Sequence, residues 1–115
     1  MRDDNCIFCK IANKEITSDY VYEDDQIISF RDMEPQAPEH VLIIPKRHIE
    51  SLDAAQDTDA ELLAHILLKV KDIAADLGIK DGYRVVNNCG EDGGQTVRHL
   101  HFHLLGGKKL SVELA

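Results

Sequence analysis

Three histidines alternate with apolar residues late in the chain: His99, His101 and His103 in "RHLHFHLLGG". In an extended strand, residues two apart share a face at about 6.6 Å. The three imidazoles therefore project together, while Leu100, Phe102 and Leu104 turn the other way, toward a core. Neutral imidazole is a metal ligand, a base or a nucleophile near physiological pH, because its ordinary pKa is about 6.5. Spacing alone leaves three readings open: a metal cluster, a catalytic strand, or the wet side of a half-exposed sheet.

The stretch just upstream, "EDGGQTVRH", adds a second chemical feature. Gly93 and Gly94 admit backbone angles that turn successive N–H groups into a concave anion cradle beside the Thr96 hydroxyl. Asn88, at the end of the preceding strand, offers a side-chain donor. An ordinary glycine hairpin is the competing reading. A third feature is "CIFC", in which Cys6 and Cys9 have a spacing shared by metal sites and redox pairs. Zinc prefers four N or S ligands, and His48 and His99 are candidates to complete such a set. The alternative is two buried small hydrophobes. His40 and His65 read as structural or exposed, and Cys89 has no obvious partner.

These groups need elements to hold them. Leu62, Leu63, Ile66, Leu67, Val70, Ile73, Ala74 and Leu77 recur at three-and-four spacing, which predicts a helix over 58–77. Thr58 and Glu61 form a capping-box pattern at its start, and Gly78 follows its last apolar residue as a C-cap. Short, β-branched stretches predict strands at 26–32, 41–45, 83–88 and 100–105, with weaker signals for a strand at 20–22 and a helical turn at 8–12. Strands, one long helix, then strands again indicate an antiparallel α+β domain rather than repeating βαβ units.

At 115 residues, 43% hydrophobic and 30% charged, the chain is expected to be one globular domain, 1–115. A formal charge of -8 disfavours polymeric nucleic acid as a partner, while a mononucleotide held by local dipoles stays open. With neither a signal-like stretch nor a bilayer-length apolar run, no membrane is expected and the expected location is cytoplasmic. Three cysteines in that compartment do not suggest a disulfide framework.

The sequence resembles the histidine triad family, whose signature is His-x-His-x-His followed by apolar residues, here "HLHFHLL". "CIFCKIANKEI", "YEDDQIISFRDMEPQAPEHVLIIPKRHI" and "AADLGIKDGYRVVNNCGEDGGQTV" look like the family's other landmarks, in order. The Gly106-Gly107 pair points to the Hint branch, the nucleoside phosphoramidases. This resemblance implies an α+β fold with a five-stranded antiparallel sheet, one long helix and a short N-terminal helix, the sheet continuing into a second subunit of a homodimer.

It also implies roles. His101 matches the nucleophile that attacks the α-phosphorus of a purine nucleoside 5′-phosphoramidate or an acyl or aminoacyl adenylate, giving a nucleotidyl-histidine. His103 matches a phosphate contact, as do Asn88, Gly94, Gln95 and Thr96. Asp32 matches the ribose-binding carboxylate. Met33, Phe30, Ile7, Phe8 and Ile11 fall where the family lines its purine pocket. Some bacterial members bind a structural zinc through residues matching Cys6, Cys9, His48 and His99, and no catalytic metal is expected. A nucleophile of this kind needs neutral imidazole with its second nitrogen held by an acceptor such as a main-chain carbonyl. Alternatives on the same fold are a dinucleoside polyphosphate hydrolase, a nucleotidyl transferase, or a nucleotide-binding regulatory module with vestigial activity. Relatives in this branch can carry a tail with a tryptophan that reaches the partner's site; tryptophan is absent here, so the leaving group stays open.

Overall fold

The computed structural model describes residues 3–115. Its elements, in chain order, are α1 (Ile7–Ala12), β1 (Tyr20–Glu23), β2 (Ile27–Arg31), β3 (Glu39–Pro45), a 3-10 turn at Asp57–Asp59, α2 (Ala60–Leu77), β4 (Tyr83–Val86) and β5 (Phe102–Gly106). The strands form one antiparallel sheet in the order β1-β2-β3-β5-β4. The expected α+β class, five strands and two helices are all present.

Alternation across the sheet makes two cores. Ile27, Val41, Ile43, Leu100, Phe102 and Leu104 pack against Leu62, Ile66, Val70, Ile73 and Ala74 of α2. On the opposite face Ile28, Phe30, Leu42 and Ile44 meet Cys6, Phe8, Cys9, Ile11 and Ala12 of the α1 segment. A sheet covered on both faces needs buried residues at successive positions, which is why Ile27 and Ile28, or Ile43 and Ile44, are all fully enclosed.

Several sequence-based boundaries move, each for a local reason. The helix starts at Ala60 rather than 58, because the backbone N–H of Gln56 donates to the Asp59 carboxylate at 2.9 Å, which also pairs with Arg47. Gln56 and Asp59, not Thr58 and Glu61, thus satisfy the entry. At the other end Gly78 is left-handed, φ +76°, and caps the carbonyls of Ala74 and Ala75 as expected. Leu67, placed on the apolar face by its spacing, is 52% exposed. β3 begins two residues early because Glu39 and His40 pair with Gly106 and Leu105. β4 ends at Val86, its last pair with β5 being Val86 with His103, and β5 starts only at Phe102, which pairs with Ile43 of β3. Residues 99–101 leave the sheet: the Leu100 N–H bonds the Ile49 carbonyl at 2.7 Å instead of a neighbouring strand.

Candidate active site and metal centre

That departure separates the three histidines. None is simply on a wet face: His99 is fully buried, His101 is 4% exposed and His103 is half-buried. The solvent-side reading of the triplet is therefore overturned. With residues 99–101 off the sheet, each imidazole reaches a different set of partners.

His99 turns to the cysteines. Its Nε2 lies 2.8 Å from the Pro45 carbonyl, an acceptor only, so Nε2 carries the proton and the Nδ1 lone pair faces inward. There it meets Cys6 Sγ at 3.2 Å, Cys9 Sγ at 3.5 Å and His48 Nδ1 at 3.3 Å, and Cys9 Sγ lies 3.3 Å from His48 Nδ1. All four ligand atoms fall within 4.8 Å of one another. Tetrahedral zinc at ordinary bond lengths asks for about 3.4 Å between nitrogens and about 3.6 Å between sulfur and nitrogen, and these four separations match that to within a few tenths of an ångström. The backbone N–H of Cys9 donates to Cys6 Sγ at 3.3 Å, and that of Asp3 donates to Cys9 Sγ at 3.3 Å, as amides do toward thiolates. Burial pushes the Cys6 thiol up; a bound divalent cation would reverse that balance. The four residues expected to hold metal are thus the four brought together.

His101 turns to its own backbone. Nδ1 donates to the His99 carbonyl at 2.7 Å, the main-chain acceptor that a histidine nucleophile needs, leaving the lone pair on Nε2. The ring packs edge-on against Phe8 at 5.1 Å, and Phe8 also meets Phe30 at 5.5 Å. His101 lines a cavity of about 270 Å³ together with His103, Thr96, Asp32, Met33, Ile7, Phe8, Ile11 and Phe30. Ile16, Thr17, Ser18, Arg31, Leu42 and Val97 complete the wall. Its lining is mostly apolar with a few polar side chains among it, the usual form of a small-ligand site. Met33, which also lines this cavity, is 95% exposed.

His103 is controlled by a residue read from sequence as structural or exposed. His40 is 4% exposed, and its Nε2 lies 2.9 Å from His103 Nδ1. The Gln36 N–H donates to His40 Nδ1 at 3.0 Å, so neutral His40 carries its proton on Nε2 and donates to His103. Neutral His103 then presents Nε2–H as a donor. Asp32 Oδ2 stands 3.5 Å from His40 Nε2. Asp32, His40 and His103 also have metal-ligand spacing, but a protonated Nε2 is a donor and not a ligand. Sequence placed His40 just ahead of a strand; the pairings His40 with Leu105 and Leu42 with His103 put it in β3 on the same face as His103.

Burial holds both groups neutral. It lowers His103 to about 4, helped by His101 and His40, and it lowers His40, opposed by Asp32. The folded chain then binds fewer protons than the unfolded chain between pH 6.5 and about 4, so this contribution to stability is full above 6.5 and lost as pH falls through that window. Melting temperature should fall with pH there, and a His103→Gln variant should fall less steeply. Equal slopes for the two proteins would refute this origin.

Three expected phosphate contacts do not reach the cavity lining. Asn88 Nδ2 donates to the Gly93 carbonyl at 2.8 Å. Gly94 N–H bonds the Glu91 carbonyl and Gln95 N–H the Gly90 carbonyl, both at 3.0 Å. The Gln95 amide spans Gly90 N, Glu50 O and Val97 O. The Asn88 amide and the N–H groups of Gly94 and Gln95 thus bond within the loop itself. Gly94 is left-handed, φ +81°, and a Cβ on Gly93 would collide with the Cys89 backbone. What the loop delivers to the cavity is Thr96 and Val97.

A family model described as "Scavenger mRNA decapping enzyme C-term binding" matches residues 5–113. An uncharacterized HIT-like protein from Synechocystis sp. is 53% identical over 108 residues, covering 94% of this chain and 95% of that protein. The solved structure of a histidine triad protein from Clostridium difficile is similar with TM-score 0.96 and 49% identity, over 99% of this chain and 100% of that one. A HIT family hydrolase from Legionella pneumophila Philadelphia 1 follows with TM-score 0.92 and 50% identity, over 94% and 97% of the two chains.

Proposed function

This chain belongs to the histidine triad family, and on that premise we propose that it is a hydrolase cleaving the P–N bond of purine nucleoside 5′-phosphoramidates and the P–O bond that joins the acyl group to phosphorus in acyl and aminoacyl adenylates. The observation that carries this reading is the tautomer of His101. With Nδ1–H held by the His99 carbonyl at 2.7 Å, Nε2 is an unprotonated nucleophile on the wall of a nucleoside-sized cavity.

In this reading the purine enters the apolar end between Phe8, Phe30, Ile7, Ile11 and Met33, and the Asp32 carboxylate accepts from the ribose hydroxyls. His101 Nε2 bonds the α-phosphorus as the P–N bond breaks, and the nitrogen, taking a proton from solvent, leaves as the amine. Charge on the phosphoryl oxygens is met by His103 Nε2–H and the Thr96 hydroxyl. Water then breaks the P–Nε2 bond and releases nucleoside monophosphate. Asn88, Gly94 and Gln95 shape the loop that presents Thr96. Cys6, Cys9, His48 and His99 hold zinc, which closes a four-ligand site with no position left for substrate and is structural.

A second copy of the chain fits one sheet edge. β4 pairs only with β5, and Val85, 37% exposed, shares a face with Leu104. An unpaired edge carrying half-exposed apolar side chains supports continuation of the sheet across a homodimer. No described helix is long and apolar enough to cross a membrane.

The test is incubation with an adenosine 5′-phosphoramidate and quantification of adenosine monophosphate. Turnover is expected, faster than for a diadenosine polyphosphate assayed in parallel. The reverse preference would move the assignment to a dinucleoside polyphosphate hydrolase, and tight monophosphate binding without turnover of either would make the protein a binding module.

A further inference from the structure

The short segment 99–101 carries one side of the metal set and the nucleophile, yet lies outside the ladder. Something other than sheet pairing must hold it. One anchor is the Leu100 N–H on the Ile49 carbonyl, 2.7 Å. The second is Asn87, immediately past the end of β4, whose Nδ2 donates to the His101 carbonyl at 2.9 Å.

We propose that Asn87 is a positioning residue for catalysis: its side-chain amide replaces the missing ladder bond at His101 and holds that backbone where the imidazole can reach the His99 carbonyl. The inference rests on the reading of His101 as the nucleophile. β4 and β5 stay in register through Val86 and His103. Two steps beyond, a continued ladder would pair His101 with Asn88, keep it extended and swing its ring away from the carbonyl two residues back. An amide on a side chain reaches across the gap without imposing strand geometry.

The chemistry of the amide favours this role over packing. Asn87 Oδ1 is buried and has no hydrogen-bond partner in the structure, and a buried unpaired acceptor is unfavourable. Valine would fill much the same space without that oxygen, so what asparagine contributes is the donor. Turning the amide over would set two acceptors against each other, which fixes its orientation.

The experiment compares the full chain with Asn87→Val and Asn87→Asp, the latter keeping the shape while removing the donor. The first readout, independent of turnover, is the His101 tautomer from imidazole ¹⁵N shifts. The parent should be mostly Nδ1–H, and both variants should move toward Nε2–H. The second readout is phosphoramidate kinetics, where kcat should fall about ten- to hundredfold with KM changed less than about threefold. An unshifted tautomer in both variants, or a kcat within about threefold of the parent, overturns the inference. If the parent shows no phosphoramidate turnover while the variants still shift the tautomer, the proposed reaction fails and the positioning of His101 by Asn87 stands.

Discussion

Replacing His101 by alanine should lower phosphoramidate turnover by at least about four orders of magnitude, the scale seen when a covalent nucleophile is removed from a constellation that acts as a unit. The chemistry has no substitute inside the cavity. His103 Nδ1 receives the His40 proton at 2.9 Å, so its accessible nitrogen carries a hydrogen and cannot attack. His99 has both nitrogens committed, one to Pro45 and one toward the cysteines. The variant should still bind adenosine monophosphate within about tenfold of the parent, since most of the apolar wall and the Asp32 carboxylate remain. Protein quenched during turnover should carry a nucleotidyl mass increment on the 99–103 peptide of the parent and none on the variant. An adduct on another histidine, or substantial turnover by the variant, would defeat the assignment.

The second large effect concerns metal. The purified protein should contain about one zinc per chain. Removing it with a strong chelator, or introducing Cys6→Ser or Cys9→Ser, should lower the melting temperature by about 10 °C or more. The reason is where the ligands sit. Cys6 is the N-cap of α1, with its sulfur accepting the Cys9 N–H, and Cys9 is completely buried. The same short helix supplies Ile7, Phe8 and Ile11 to the cavity, and six residues have little helical stability of their own. Without the metal, only weak thiol–imidazole hydrogen bonds join the four residues, and Phe8 loses the support that sets it against His99 at 6.0 Å and His101 at 5.1 Å. Nucleotide affinity should fall along with stability. Protein purified without chelator that holds no zinc and melts unchanged after chelation would rule the site out.

Much of this was legible in the chain. The α+β class followed from the order of strand and helix patterns, and the alternation in "HLHFHLL" correctly sent Leu100, Phe102 and Leu104 to the α2 side of the sheet. The four-residue ligand set followed from cysteine spacing plus the family resemblance, and its atoms converge. His40 is buried, as one of its two readings had it, but its contact with His103 was not legible, because that partner lies 63 residues away and nothing local distinguishes it from any histidine at a strand start. Asn87 was passed over for Asn88 because two adjacent asparagines look alike in sequence, while one reaches His101 and the other Gly93. The hydrogen bonds inside the glycine-rich loop were not legible, since such a stretch does not reveal which of its N–H groups its own carbonyls take.

By itself, then, the sequence determined which residue types meet on which face, because strand and helix periods are local and burial follows from them. Only the tertiary structure decided which nitrogen of each histidine carries a proton. Pro45 sets it for His99, the His99 carbonyl for His101, and Gln36 through His40 for His103. A tautomer depends on the acceptor or donor opposite it, and here those come from strand register and from a three-residue departure from the ladder that no local pattern encodes.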